Sequence, residues 1–237
     1  MVMQLANVVP FGRSFDEYQQ MFSLCTSDLS KQILGVGDGP ASFNAEATQQ
    51  GFQVTSIDPV YAFNGAEIQQ RFDAVVDDII DQVKSSPDDW IWSYHQSPED
   101  LRQNREQVLQ KFLQDYESGK QAGRYLVGEL PNLPFADNQF DLALCSHFLF
   151  LYSDHVDEAF HHSAIHEMLR ISSEIRIFPL LTLMLEQSSY LDSVMQTFKT
   201  SGYAVHLTQV PYELQKGGNQ MLVIRQTFPS SPSVTLQ

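Results

Sequence analysis

The sequence is short of cysteine, of basic residues and of long apolar runs, and each shortage removes a class of function. Its two cysteines, Cys25 and Cys145, lie outside any CxxC or zinc-ligand spacing, so neither a disulfide framework nor a cysteine metal site is expected. Unpaired thiols fit a reduced, cytoplasmic compartment, and Cys145, inside an apolar run, reads as core. Only 14 Lys and Arg stand against 29 Asp and Glu, a formal charge of −15. An acidic chain with scattered cations repels phosphate backbones, which argues against a nucleic-acid partner. The longest apolar run, 177–185, is broken by Pro179 and Thr182 and is too short to cross a bilayer. The start, Met1-Val2-Met3-Gln4, has no charged region leading into an apolar stretch, so no signal peptide is expected. Two glycine signatures are missing as well. There is no G-x-x-x-x-G-K-[ST], and the G-x-G-x-x-G spacing fails: from Gly35 its last glycine falls on Pro40, and from Gly37 on Ser42.

What is present starts with Ile33-Leu34-Gly35-Val36-Gly37-Asp38-Gly39-Pro40-Ala41. Apolar residues run into glycines at every second position, and a helical run to Gln50 follows. A strand, a tight turn and a helix N-terminus in that order let a ligand approach the backbone and meet free N–H groups. Gly51 stops the helix, and Phe52–Ile57 is a second strand ending in Asp58-Pro59, which makes a βαβ unit. A carboxylate at that strand end, about twenty residues past the turn, suits the two hydroxyls of a ribose. An aspartate there also commonly caps the next helix.

The remaining chain alternates in the same way. Residues 14–28 carry Phe15, Tyr18, Met21, Phe22 and Cys25 at helical spacing, with Ser14 as N-cap; the helix either packs on the domain or covers a ligand. Helices are expected over 64–84 and 97–118, separated by the aromatic stretch Trp90-Ile91-Trp92-Ser93-Tyr94-His95. One crossover does not need both helices, so about 85–123 reads as an insertion. Strands follow at 124–128, 140–145 and 174–178, helices at 154–171 and 190–200, and a final strand pair at 203–210 and 220–226 turning at Lys216-Gly217-Gly218-Asn219. His161, His162 and His166 lack the H-E-x-x-H pattern and read as a helix face, so no metal is expected. The fold class is α/β, an open and mostly parallel sheet with helices on both faces. The expected division is an N-terminal helical segment over 1–32, a core over 33–227 and a flexible tail over 228–237. A ligand belongs beyond the strand C-termini, at Gly35 to Gly39, Asp58, Gly128-Glu129 and Ser146-His147.

The glycine turn, Ile57-Asp58-Pro59, and Leu133-Pro134-Phe135-Ala136-Asp137-Asn138-Gln139-Phe140-Asp141-Leu142-Ala143-Leu144 resemble the class I S-adenosylmethionine-dependent methyltransferases. Glu167-Met168-Leu169-Arg170-Ile171 is similar to the helix before that family's fifth strand. The resemblance runs from Ile33 to about Phe178 and implies a Rossmann-like seven-stranded sheet whose last strand is antiparallel. It implies S-adenosyl-L-methionine as cofactor and in-line methyl transfer to a small molecule or lipid-like acceptor. In the resemblance Gly35, Gly37, Asp38 and Gly39 approach the methionyl part, Asp58 holds the ribose, Glu129 meets the adenine amino group and Leu130 its ring. Ser146 and His147 line the methyl-transfer face. His147 is the candidate base there, with a structural role as the alternative. The family's acid two residues before the second glycine is missing, since Gly35 occupies that place; Asp38 is the nearest substitute. The aromatic stretches at 15–22, 90–95 and 148–152 are the candidate acceptor walls. A non-catalytic binding protein retaining the same fold is the rival reading, and the sequence leaves the oligomeric state open.

Overall fold

The computed structural model describes residues 9–227. The tail expected over 228–237 lies outside the described residues. The strands are β1 (Gln32–Val36), β2 (Gln53–Ile57), β3 (Tyr125–Leu126), β4 (Phe140–Ser146), β5 (Ser172–Phe178), β6 (Ala204–Gln209) and β7 (Gln220–Arg225). The helices are α1 (Phe15–Met21), α2 (Thr26–Leu29), α3 (Phe43–Gln49), α4 (Gly65–Ser85), α5 (Pro98–Gln121), α6 (Glu158–Ile171) and α7 (Leu191–Thr200). One seven-stranded sheet has the order β3-β2-β1-β4-β5-β7-β6. Its pairs are parallel except where β7 lies between β5 and β6. This is the Rossmann-like sheet, with its last strand reversed.

Alternation along the central strands builds the two cores. Ile33, Val54, Leu142 and Leu144 face one side, where α3, α4 and α5 supply Phe43, Phe72, Ile80, Leu109 and Phe112. Leu34, Val36, Ala143, Cys145, Ile175 and Ile177 face the other, against Ile165, Met168 and Leu169 of α6 and Val194 and Phe198 of α7. Successive side chains of a strand point to opposite faces, so an unbroken apolar strand such as β4 must be covered on both.

Caps at Ser14, Asn64 and Ser97 fix where α1, α4 and α5 begin. Four local expectations are corrected. The helix expected over 14–28 is two pieces, because Ser23 takes a left-handed conformation at φ 47°; Cys25 is consequently exposed rather than on the packed face. The strand expected over 124–128 pairs only through Tyr125 and Leu126. The helix expected over 154–171 starts at Glu158, where the Asp157 side chain accepts from the Phe160 N–H. Finally β6 and β7 pair in register from Ala204↔Arg225 to Gln209↔Gln220, but the long loop 210–219 joins them. The Lys216–Asn219 turn closes only the end of that loop, and Tyr212 and Leu214 are buried on the way. His162 and His166 lie against the Phe198 ring, at 6.2 and 4.7 Å between centroids. Among the described residues no group of three or more His, Cys, Asp or Glu side chains is placed to hold a metal ion, and no helix is long and apolar enough to cross a membrane.

Candidate active site

Strand register gathers the candidate residues. Val36 lies opposite Ile57 and Cys145, Ile57 opposite Leu126, and Ser146 opposite Phe178. The segments that follow these positions therefore emerge along one edge of the sheet. There the structure brings together Gly37, Asp38, Gly39, Asp58, Ser146 and His147. Gly37 and Gly39 have φ of +66° and +54°, the left-handed region that favours glycine. A Cβ on Gly39 would meet nothing within 4 Å, and one on Gly37 would touch Phe148 at 3.4 Å. The backbone at Gly39 thus faces open space, as an approaching ligand requires.

The sequence leaves open what replaces the acid missing at Gly35. A Cβ there would lie 1.8 Å from Asp38 Oδ2, so the Asp38 carboxyl fills the space that a side chain on Gly35 would need. Tyr18 Oη donates to Asp38 Oδ1 at 2.6 Å and Ser56 Oγ to Oδ2 at 2.7 Å. Tyr18 in turn stacks on Phe43 at 4.2 Å, so α1 is pinned over the turn. Gly35→Ala is expected to cost about 1 kcal/mol or more of stability by overpacking and to expel Asp38. Thermal unfolding of the variant measures the first effect, and loss of the Tyr18–Asp38 bond in its crystal structure the second.

Asp58 takes the capping role and adds a second one. Its Oδ1 accepts from the Val60 N–H at 2.7 Å, capping the short 3-10 turn Pro59–Ala62, and its Oδ2 accepts from the Gly39 N–H at 2.8 Å. It ties the second strand end to the glycine turn, and each oxygen keeps a second lone pair for a ligand hydroxyl. Glu129 is exposed, in a turn closed against Asn132 beyond the end of β3. Leu130 beside it is buried in the core under α6.

Burial pushes both aspartates up to about 6; the neighbouring Asp58 charge adds to the rise at Asp38, while hydrogen bonds restrain both. The sign follows from linkage. A carboxyl whose folded pKa exceeds its unfolded value of 3.8 favours folding most below about pH 4, and that contribution is lost as pH rises through about 6. The ligand-free protein is therefore expected to lose stability from these two groups across that rise, and a cationic ligand to bind more tightly across it. Unfolding temperatures at pH 5 and pH 7 check this, with a smaller difference expected in Asp38→Asn; an unchanged difference would contradict it.

His147 has φ 52°, uncommon outside glycine and concentrated at functional positions. Its N–H donates to the Phe178 carbonyl at 2.7 Å, and Nδ1 lies 2.9 Å from Ser146 Oγ. Burial, then the charges of Arg13 and Arg105, push its imidazole well below the ordinary value, so it is neutral at pH 7. His147 also lines a cavity of about 90 Å³ reaching Trp90, Tyr152, Phe178 and Leu183. Parts of the aromatic stretches at 90–95 and 148–152 thus meet around it. The 15–22 stretch does not line it; Tyr18, Met21 and Phe22 of that stretch are core.

Sequence reasoning missed the polar network behind this cavity, which reaches its wall through Arg105 and Tyr212. Glu17, fully buried, accepts from Arg105 Nη1 and Nη2 at 2.8 Å each and from Tyr212 Oη at 2.9 Å. His95 Nε2 stands 3.4 Å from it. One signal was available: Arg105 falls on the stripe Leu101, Val108, Leu109, Phe112 of α5, where a charge needs a buried partner.

A methyltransferase-domain family profile matches residues 100–173. The chain is 34% identical over 224 residues to the uncharacterized protein MJ0045 of Methanocaldococcus jannaschii, covering 94% of this chain and 98% of that one. It is also similar to the structure of magnesium protoporphyrin IX methyltransferase from Synechocystis PCC 6803 with bound S-adenosylmethionine. That likeness has 10% identity and a TM-score of 0.48, over 90% of this chain and 78% of that chain. Another solved structure, the methyltransferase domain of bacterial CtHen1, is 12% identical with a TM-score of 0.48, over 89% and 99% of the two chains. The chain shares one family with the archaeal protein, and with its methyltransferase domain and its seven-stranded sheet it belongs to the class I S-adenosylmethionine-dependent methyltransferases.

Proposed function

We propose that the protein methylates a small molecule held in the cavity at His147. The observation that carries this reading is the placement of His147, which joins the strand ends that would hold the cofactor to a largely apolar cavity. The N–H groups of Gly37 and Gly39, expected free, are held by the Ile57 carbonyl and by Asp58, so the two glycines would give the methionyl part close approach rather than hydrogen bonds. Asp58 would take the ribose, and Glu129 and Leu130 would lie toward the adenine. Ser146 and His147 would form the wall between the cofactor and the acceptor. S-adenosylmethionine supplies a methyl group already activated on a sulfonium, so the protein mainly has to align an acceptor and exclude water. The chain's residues suit that task. Trp90, Leu101, Leu183 and Leu214 give the cavity apolar walls, and the neutral His147 can receive a proton where the acceptor must lose one. Its depressed pKa makes it a weak base, so positioning is its larger contribution.

A crystal structure with S-adenosylhomocysteine tests the assignment. The expected result is density across the glycine turn with the sulfur open to the cavity at His147. Density elsewhere on the chain, or a sulfur walled off from the cavity, would overturn it. The rival reading, a binding protein that keeps the fold without catalysis, predicts that S-adenosylmethionine offered together with candidate acceptors yields neither S-adenosylhomocysteine nor a methylated acceptor.

A further inference from the structure

The cavity carries a charge that methyl transfer by itself does not require. Two arginines line it, Arg13 and Arg105. Arg105 is satisfied, since both oxygens of Glu17 accept from it. Arg13 is not: among the described residues it forms no ion pair, and the segments 1–8 and 228–237 contain no Asp or Glu. Its Nη1 donates to the backbone carbonyls of Phe11, at 2.6 Å, and Gly12, at 3.3 Å. Among the described residues its Nε–H, which is shielded from water, has no partner, and no hydrogen bond involves its Nη2. These two nitrogens share one edge of the guanidinium plane. That edge presents two parallel N–H bonds, the spacing that pairs with both oxygens of a carboxylate.

A buried donor without a partner costs stability, and native proteins keep few of them. Burial and the nearby Arg105 push the Arg13 guanidinium down to about 10, a cost that a bound anion would remove. The other walls, among them Ile79, Val83, Trp90, Leu101, Leu183 and Leu214, are apolar. Of the residues assigned to the cofactor, only His147 reaches the cavity.

The geometry points to an apolar acid as the acceptor: we propose that the cavity takes a molecule with an aliphatic or aromatic body whose carboxylate is held by the Nε–Nη2 edge of Arg13. This rests on reading the cavity as the acceptor site. The carboxylate anchors the molecule and so sets which part of it faces His147.

The test uses phenylacetate and decanoate against phenylacetamide and decanamide, with and without S-adenosylhomocysteine, followed by calorimetry and by Trp90 fluorescence. At least one acid is expected to bind about tenfold or more tightly than its amide, because a site built to pair a group rejects the analogue lacking it. Arg13→Met is expected to bring that ratio to near one while leaving the affinity for S-adenosylhomocysteine unchanged. In the wild-type protein, independently of how any variant folds, the Arg13 Nε–H resonance is expected to move downfield with the acid and not with the amide. Equal binding of acid and amide, or binding of none of the four, would overturn the proposal. So would an Arg13→Met variant that loses S-adenosylhomocysteine but not the acid, which would assign the guanidinium to the cofactor's own carboxylate. Acid preference without cofactor binding would leave the carboxylate site standing and sink the methyltransferase reading; cofactor binding without acid preference would do the reverse.

Discussion

Glu17→Ala is expected to destabilise the protein by about 3–5 kcal/mol, the cost of stranding one partner of a buried ion pair. Glu17 and Arg105 lie 88 residues apart, and the pair joins α1 to α5 at the cavity wall. Tyr212 adds the loop 210–219 to the same carboxylate. Burial pushes that carboxyl up, but Arg105, with hydrogen bonds from His95 and Arg105, overrides it and holds Glu17 well below the usual range. Removing the carboxylate would leave Arg105 and Arg13 as neighbouring buried cations with nothing between them. In a domain of this size the loss corresponds to a fall of roughly 6–20 °C in unfolding temperature. Replacing Glu17 and Arg105 together with methionine is expected to cost much less, since no charge is left behind. A loss below about 1 kcal/mol in Glu17→Ala, the scale of an exposed pair, would show that water reaches the pair.

Asp58→Ala is expected to weaken S-adenosylhomocysteine binding by about 1–3 kcal/mol, the scale of hydrogen bonds to a charged group. Two effects combine. The ribose hydroxyls lose their acceptor, and the glycine turn loses the Gly39 N–H to Asp58 bond that fixes it to the second strand. Asp58→Asn separates them. An amide keeps one acceptor oxygen, so it retains part of the turn's anchoring without the charge. Titration calorimetry of the three proteins measures both; equal affinities would mean that the ribose is held elsewhere.

The parts of this molecule that are local in sequence are legible in sequence. The glycine turn, the apolar strands and Asp58 at the end of β2 each follow from a few adjacent residues and the period of their element. So does the cap at Ser14. The break at Ser23 was hidden, because apolar spacing continues from Phe15 through Phe22 and a single left-handed serine has no signature. The role of Asp38 was half visible: the sequence shows an acid missing at Gly35, and only the folded turn shows the Asp38 carboxyl in its place. The cavity was legible only in part, through Trp90 and Tyr152 of the aromatic stretches expected to wall it. Its walls come from the N-terminal segment, α4, α5, the loop after β4 and the loop 210–219, and no spacing rule connects them. The same holds for the free edge of Arg13, which depends on what the surrounding chain fails to offer it.

Every role proposed for this site depends on S-adenosylmethionine binding at the strand ends around the glycine turn. Titration calorimetry of the full chain at pH 7 with S-adenosylmethionine and with S-adenosylhomocysteine tests it most directly. Both are expected to bind at one site per chain, and Asp58→Ala is expected to weaken both. Absence of heat with either ligand, from a chain shown to be folded by its unfolding transition, would contradict it.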